Sequence, residues 1–269
     1  MTALLEVREV RKSFGGLQAL SGCSLTVQEG TVAGLIGPNG SGKTTLFNVI
    51  TGYERADAGT VAFGGQDVTS LAPGKATGKI GGLGVGRTFQ LTRVFNRLTL
   101  LENLQVGRAG VPRERRGELY GQARCMELLD FVGLTALAQA RAGSLSYGQR
   151  KLVELAMVLA QEPKVVLLDE PAGGINPTLI GQIADRIGEL NRRGMTFLVV
   201  EHNMEFVMGL CDVISVMERG AVIARGRPDE VRKDPRVLDA YLGGALDDGP
   251  GDGPGGPTDQ TEGIEGAQP

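Results

Sequence analysis

Val32-Ala33-Gly34-Leu35-Ile36-Gly37-Pro38-Asn39-Gly40-Ser41-Gly42-Lys43-Thr44-Thr45 decides how this 269-residue chain is read. A short apolar run stops at a glycine, residues 37–44 fit GxxxxGK[ST], and apolar residues at helical spacing follow in Thr44–Thr51. Strand, glycine loop and helix in that order make a phosphate cradle. Glycines let successive backbone N–H groups turn inward around an anion, and the helix presents its positive end to the same anion. Lys43 brings a mobile charge to the β- and γ-phosphates of a nucleotide, and the Thr44 hydroxyl can ligate Mg²⁺.

Val165-Val166-Leu167-Leu168-Asp169-Glu170 supplies the other half of such a site. Four apolar residues carry two carboxylates to the C-terminal end of a buried strand, where open α/β sheets bind their ligands. Asp169 is placed to hold Mg²⁺, directly or through water, and Glu170 can point at an attacking water. No Asn-Lys-x-Asp element for guanine is present, which points to ATP rather than GTP.

Outward from these two segments, apolar runs bounded by turn residues predict strands at Ala3–Val10, Leu25–Val27, Val32–Ile36, Thr60–Phe63, Val165–Leu168, Phe197–Val200, Val213–Met217 and Val222–Arg225. Leu152, Leu155, Ala156 and Leu159 form one helical face, and Ile180, Ile183, Ile187 and Leu190 another. Buried apolar strands separated by helices predict a parallel sheet with helices on both faces. Leu91–Gln161 lacks strand signals and reads as a helical insertion. The folded part is expected to end with a short helix, Arg236–Leu242, and Gly243-Gly244. Asp247–Pro269 holds six of the 31 acidic residues, seven glycines, four prolines and no Lys or Arg, so disorder is expected there.

Net charge is −3, but outside that tail 28 basic residues face 25 acidic ones, which makes no case for nucleic acid as a partner. Cys23, Cys125 and Cys211 lie far apart and read as buried thiols of a reducing compartment, and the single His202 excludes a multi-histidine metal centre. No apolar run approaches the ~18 residues that span a bilayer. The opening MTALLEVREVRKSF alternates and carries charges, unlike a signal peptide. The expectation is a protein neither secreted by that route nor integral to a membrane.

Three further elements complete an ordered set: Leu145-Ser146-Tyr147-Gly148-Gln149, Gln90 after Arg87-Thr88-Phe89, and His202 after Phe197–Val200. With them the chain resembles the ATP-binding cassette (ABC) ATPases over residues ~4–243. The resemblance implies an α/β fold of the P-loop NTPase class, of the ABC ATPase type. It has a mixed-sheet core (1–90 and 162–246), an inserted helical subdomain (91–161) and antiparallel strands near the N-terminus. It implies nucleotide binding by Gly37, Pro38, Asn39, Gly40, Ser41, Gly42, Lys43, Thr44 and Thr45, with Phe14 stacking on adenine. Ser146, Gly148 and Gln149 would reach the nucleotide of a second cassette paired head to tail. Mg²⁺ is assigned to Thr44, Gln90 and Asp169, and catalysis to Glu170, His202, Gln90 and Lys43. The signature carries Tyr147 where glycine is commonest, and Asn176 stands where the loop crossing the dimer interface often ends in Asp.

RTFQLTRVFNRLTLLENL, LSYGQRKLVELAMVLA, EPAGGINP, VVEHNMEFVMGLCDVI and AYLGG narrow the resemblance to the ATP-binding subunits of branched-chain amino-acid importers, the LivG-like type. Importers of urea and short amides share most of these motifs, and the spacing from Glu102-Asn103-Leu104 to the signature is short, so the cargo stays open between them. The implied partners are integral membrane permease subunits, a second ATPase subunit (identical or different) and, indirectly, a substrate-binding protein. The implied location is cytoplasmic, peripheral on the inner face of the cell membrane. Arg113, Glu114, Arg115 and Arg116 read as a solvated charged face. A non-transport ABC ATPase would bring coiled coils or two cassettes, and the chain has neither. A module that binds ATP only to dimerise would lack Glu170.

Overall fold

The computed structural model describes residues 2–71, 76–107 and 121–247, with the side chains of Ala76 and of residues 242–247 left aside. The acidic tail beyond Asp247 and the 113–116 cluster lie outside the described residues.

Two long strands, β1 (Ala3–Phe14) and β2 (Leu17–Gln28), pair antiparallel across Gly15-Gly16, both at positive φ as a tight hairpin requires. They run well beyond the expected Ala3–Val10 and Leu25–Val27. Their outer halves near the hairpin are mostly exposed, so ladder hydrogen bonds hold them and no apolar pattern announces them. Strands β4 (Ala58–Phe63) and β5 (Gln66–Asp67) complete a four-stranded antiparallel sheet in the order β2-β1-β4-β5.

The second sheet has six strands. They are β3 (Val32–Ile36), β6 (Val85–Arg87), β7 (Val165–Asp169), β8 (Thr196–Val200), β9 (Val213–Glu218) and β10 (Ala221–Gly226), in the order β10-β9-β3-β8-β7-β6. All pairs are parallel except β9 with β10, so the sheet is mixed rather than wholly parallel. Strands β5 and β6 were not expected from the sequence. Each is two or three residues long, and β6 is interrupted by Gly86, too short for any periodicity to register.

The helices are α1 (Lys43–Ile50), α2 (Ala76–Gly82), α3 (Leu100–Gly107), α4 (Gln122–Phe131), α5 (Tyr147–Leu159), α6 (Pro177–Arg192), α7 (Met204–Leu210), α8 (Pro228–Val231) and α9 (Pro235–Asp247). The last runs through Gly243-Gly244 to Asp247 instead of ending at Leu242. The expected boundary between residues 246 and 247 therefore falls inside a helix. Between Leu91 and Gln161 the described residues hold helices and one isolated bridge, Thr99 to Arg141.

The pleat of the six-stranded sheet sorts its side chains into two cores. Ala33, Leu35, Val165, Leu167, Leu198 and Val200 face α1 and the antiparallel sheet, together with Leu46, Phe47, Val7 and Phe63. Val32, Ile36, Val166, Leu168, Phe197 and Val199 face α5, α6 and α7, together with Leu152, Ala156, Ile183, Ile187 and Val207. The expectation of helices on both faces therefore holds, with the antiparallel sheet joining α1 on one of them. Each fully buried Val, Leu or Phe here contributes roughly 1.5–3 kcal/mol. Gly34 lets α7 sit close: a Cβ there would meet Cys211 Sγ at 3.1 Å and Val207 at 3.2 Å. All three cysteines are buried.

This topology positions the site. Strands β3, β8 and β7 lie side by side, with Leu35 and Asp169 both opposite Val200. Their C-terminal ends therefore deliver the loop after Ile36, the pair Asp169-Glu170 and the pair Glu201-His202 to one edge. Strand β6 pairs with β7, Arg87 opposite Leu167, and delivers Thr88–Gln90 to the same edge.

Candidate functional site

The loop Gly37–Gly42 can be built from few other residues. Gly37 (φ 152°) brings its backbone against β9, where a Cβ would lie 2.1 Å from the Met217 carbonyl oxygen. Gly42, the residue before α1, has φ 101°, and a Cβ there would lie 2.5 Å from the Ala19 carbonyl oxygen. Both conformations are open to glycine and costly for other residues. The buried Lys43 ammonium donates to the carbonyls of Gly37 (2.8 Å) and Pro38 (2.9 Å). Burial lowers its pKa, and the carboxylates of Glu170 and Asp169 pull it back up. Its charge thus stands at the mouth of the loop, partly desolvated and within the field of both acids.

Asp169 is buried and its Oδ2 accepts from Arg87 Nη2 at 3.0 Å. Arg87 is fixed in turn. Its Nη1 donates to Asn48 Oδ1 and Thr51 Oγ1, both at 2.9 Å, and its guanidinium lies 5.0–5.6 Å from the rings of Phe47, Tyr53 and Phe89. A buried ion pair of this kind costs desolvation but fixes geometry.

Glu170 has φ 50°, a left-handed conformation that costs a residue with a Cβ about 1 kcal/mol or more. Its backbone is held on both sides: the N–H donates to Val200 O (2.9 Å), and the carbonyl accepts from Gly173 N (3.1 Å) and Lys151 Nζ (2.5 Å). Its side chain gathers the two other groups of the edge. Oε2 accepts from Gln90 Nε2 at 2.9 Å, and Oε1 lies 2.7 Å from His202 Nε2, which donates when it carries the proton. The buried Glu201 steadies the strand exit behind them. One oxygen accepts from Ala172 N (2.5 Å), the other from His202 N (3.0 Å) and Asn203 N (3.1 Å).

Gln90, Glu170 and His202 line one cleft of about 440 Å³ with Asn39, Gly40, Gly42, Lys43, Thr44, Thr45 and, on the far rim, Phe14 and Leu17. Phe14 is 43% exposed, its ring free to offer a face to a planar ligand, with Lys12 Nζ 5.0 Å from the ring centroid. The Gly37 N–H lies by the Tyr241 hydroxyl of α9, where it opposes the upward effect of burial on that phenol. The cleft therefore joins an apolar rim, the glycine loop and its helix N-terminus, one ammonium and an acid–amide–imidazole cluster, which suits a purine nucleoside polyphosphate. For Mg²⁺ the set is sparse: Thr44 Oγ1, the Asp169 carboxylate and the Gln90 amide. No group of three or more His, Cys, Asp or Glu that could hold a metal occurs among the described residues. That fits a hard cation that keeps several waters and binds through phosphates and one or two protein oxygens.

Of the expected site residues, Gly37, Pro38, Ser41, Asp169, Ser146, Gly148 and Gln149 do not line the cleft. Ser146 is exposed and caps α5: its Oγ accepts from Gln149 N (3.3 Å), and Gln149 Oε1 accepts from Ser146 N (3.0 Å). Gly148 is buried against α6, where a Cβ would lie 2.0 Å from Leu179 Cδ2. Asn176 serves as the N-cap of α6, accepting from Leu179 N at 2.9 Å, a task Asn performs as well as Asp. Sequence reasoning missed Arg87, Lys151, Glu154 and Glu201, each a charge buried among apolar neighbours. The only available signal was a charge interrupting an apolar face.

Comparison with known proteins places the chain in a family. The family model "ABC transporter" matches residues 20–173, and "Branched-chain amino acid ATP-binding cassette transporter" matches residues 221–247. The chain is 39% identical over 255 residues to the high-affinity branched-chain amino acid transport ATP-binding protein BraF of Pseudomonas aeruginosa, covering 90% of this chain and 98% of that one. It is 38% identical, with the same coverage, to LivG of Salmonella typhimurium. Among solved structures, the ADP conformation of an ATP-binding cassette of an ABC transporter superposes with a TM-score of 0.80 at 36% identity, covering 90% of this chain and all of the other. A dimeric post-hydrolysis cassette bound to ADP and Pi superposes at 0.75 with 25% identity, covering 83% and 98%. The chain belongs to the ABC transporter family, as one of its ATP-binding cassette ATPases.

Proposed function

We propose that this cassette hydrolyses ATP in the cleft at the β3–β8–β7 edge and powers import of branched-chain amino acids. The observation that carries the catalytic part is the Glu170 carboxylate, held between Gln90 and His202 across from Lys43 in one cleft. In this reading Phe14 stacks on adenine and the N–H groups of Gly40–Thr45 take the phosphates. Glu170 accepts a proton from water as its oxygen bonds to the γ-phosphorus. The bond from that phosphorus to the bridging oxygen breaks, ADP leaves, and Lys43 offsets the charge. His202 and Gln90 orient Glu170 and the γ-phosphate. Thr44, Asp169 and Gln90 would hold Mg²⁺, which would supply charge neutralisation to the phosphates.

Ser146, Gly148 and Gln149 act on the nucleotide of a second cassette, so two chains form two sites. The dimer seen for the cassette bound to ADP and Pi supports this arrangement. Residues 1–90 with 162–246 act as the core and 91–161 as the helical subdomain that meets the permease. No helix among the described residues is long and apolar enough to cross a membrane, and we assign the cassette to the inner membrane face as a peripheral subunit. The cargo rests on the match over residues 221–247 and on the names of the relatives, which favour branched-chain amino acids over urea or amides. The test is ATP turnover of the cassette assembled with its permease in vesicles. Stimulation by binding protein loaded with leucine, isoleucine or valine supports the reading; stimulation by urea or an amide instead overturns the cargo.

A further inference from the structure

Ser146 and Gly148 at the head of α5 do not line the cleft, but one stripe along the same helix reaches the loops that do. Tyr147, Lys151 and Glu154 stand at i, i+4 and i+7, one helical face, and all three reach loops of the hydrolysis site of their own chain. The Tyr147 hydroxyl donates to the Gln90 carbonyl at 2.8 Å. Lys151 Nζ donates to the carbonyls of Glu170 (2.5 Å) and Pro171 (3.4 Å) and lies 5.5 Å from the Tyr147 ring. Glu154 Oε1 accepts from Phe89 N (3.3 Å) and Arg93 N (3.1 Å), the backbone on either side of Gln90. Lys151 and Glu154 are buried, so neither is a solvated surface charge.

We propose that Tyr147, Lys151 and Glu154 are positioning residues that set the distance between Gln90 and Glu170 in their own chain. This rests on the reading of that pair as hydrolytic machinery. None of the three touches the cleft's reacting groups; each grips backbone. Glu154 and Tyr147 fix the Gln90 loop from both flanks, and Lys151 helps hold Glu170 in its left-handed conformation, which persists only where surroundings over-determine it. The Gln90 Nε2 to Glu170 Oε2 contact of 2.9 Å is the product of these grips. A helix whose N-terminus is read as meeting a partner thereby carries, from its first residue through its second turn, the clamps on its own site. Tyr147 has a specific part here, because the glycine commonest at that place has no hydroxyl to donate.

The experiment uses the full chain with saturating Mg·ATP, and measures turnover, ATP affinity and melting temperature together. Tyr147→Phe removes one oxygen. A displaced Gln90 loop lowers kcat by about tenfold, less than the ~100-fold of a 1 Å misplacement of reacting groups, with ATP affinity within about twofold. In a Gln90→Ala background the same change costs less than about twofold further, because the coupled residue is gone. Glu154→Leu lowers kcat in the same way, and Glu154→Gln, which keeps an acceptor for both N–H groups, recovers most of the loss. Wild-type kcat in Tyr147→Phe, or an equal loss with and without Gln90, overturns the proposal while leaving Glu170 as base. Wild-type kcat in Glu170→Gln instead overturns the reading on which the proposal rests.

Discussion

The loop Gly37–Gly42 and the turn Ser146–Gly148 each deliver the N-terminus of a helix, but they are built for different neighbours. In the loop, every demand is met inside the chain. Backbone oxygens of Met217 and Ala19 crowd the places where Cβ atoms would stand at Gly37 and Gly42, and the Lys43 ammonium is seated on loop carbonyls. In the turn, Ser146 is exposed, and its hydroxyl accepts from Gln149 N while its own proton has no described acceptor. Gly148 is crowded only by side-chain tips of Leu179 and Ile175. The first segment is therefore a finished half-site. The second caps α5 and, through Tyr147, reaches the Gln90 loop of its own chain, but Ser146 and Gly148 do not line that chain's cleft, and under the two-cassette reading their nucleotide lies in another.

The comparison makes its strongest claim on Lys43. Lys43→Ala removes the ammonium at the cleft's mouth and drops ATP hydrolysis by at least ~10²-fold, the scale of losing one electrostatic stabiliser of the transition state. Near-normal turnover of the purified variant would separate the loop from the chemistry.

Next comes Glu170→Gln, which is nearly isosteric and should leave Asp169 and the strand in place. Turnover falls by roughly 10²–10⁴, the worth of general-base help. ATP still binds and holds two cassettes together, so size-exclusion chromatography shows a dimer with ATP and a monomer without it. Adding Ser146→Arg to that variant abolishes the dimer, because the side chain fills the place of the γ-phosphate contact. A dimer that survives in the double variant breaks the claim that the turn serves a partner.

The glycines give a smaller and sharper contrast. Gly37→Ala sets a Cβ against a backbone oxygen that cannot step aside, and destabilises the fold by about 2–3 kcal/mol. Gly148→Ala sets one against the end of a leucine side chain that can swing away, and the helix gains from alanine, so stability changes by less than ~1 kcal/mol. Chemical denaturation of the two variants compares them directly; equal losses would mean that both glycines answer to their own fold.

The smallest effect concerns the buried face of α5. Burial pushes the Glu154 carboxyl up to about 7 from its ordinary 4.5, against the N–H groups of Arg93 and Phe89 and the charges of Lys151 and Arg93. The folded state therefore binds this proton more tightly than the unfolded chain. Its stabilising contribution is full below about 4.5 and lost as pH rises through about 7. Between pH 5 and 8 the wild type should lose about 1–3 kcal/mol relative to Glu154→Gln. Parallel melting curves for the two proteins across that range would contradict it.

What the amino-acid sequence determines here is local and periodic. Gly37–Thr44 carries its own backbone chemistry and Val165–Glu170 its own burial pattern, and together they identify a nucleotide site without reference to the rest of the chain. The faces of α5 and α6 are equally legible, because core packing repeats at the helical period. Tertiary structure alone decided the remainder. Strand β6 is three residues with a glycine in the middle, and only pairing with β7 makes it a strand; without it Gln90 would have no reason to stand beside Glu170. The outer halves of β1 and β2 are largely solvent-facing apart from Val10 and Leu20 and pair with each other. Arg87, Lys151, Glu154 and Glu201 look like ordinary charges in sequence. Their meaning comes from partners far along the chain, such as Asp169 for Arg87 and the Gln90 loop for Glu154. A buried charge must find a partner to offset its desolvation, and which partner it finds is set by topology, not by spacing.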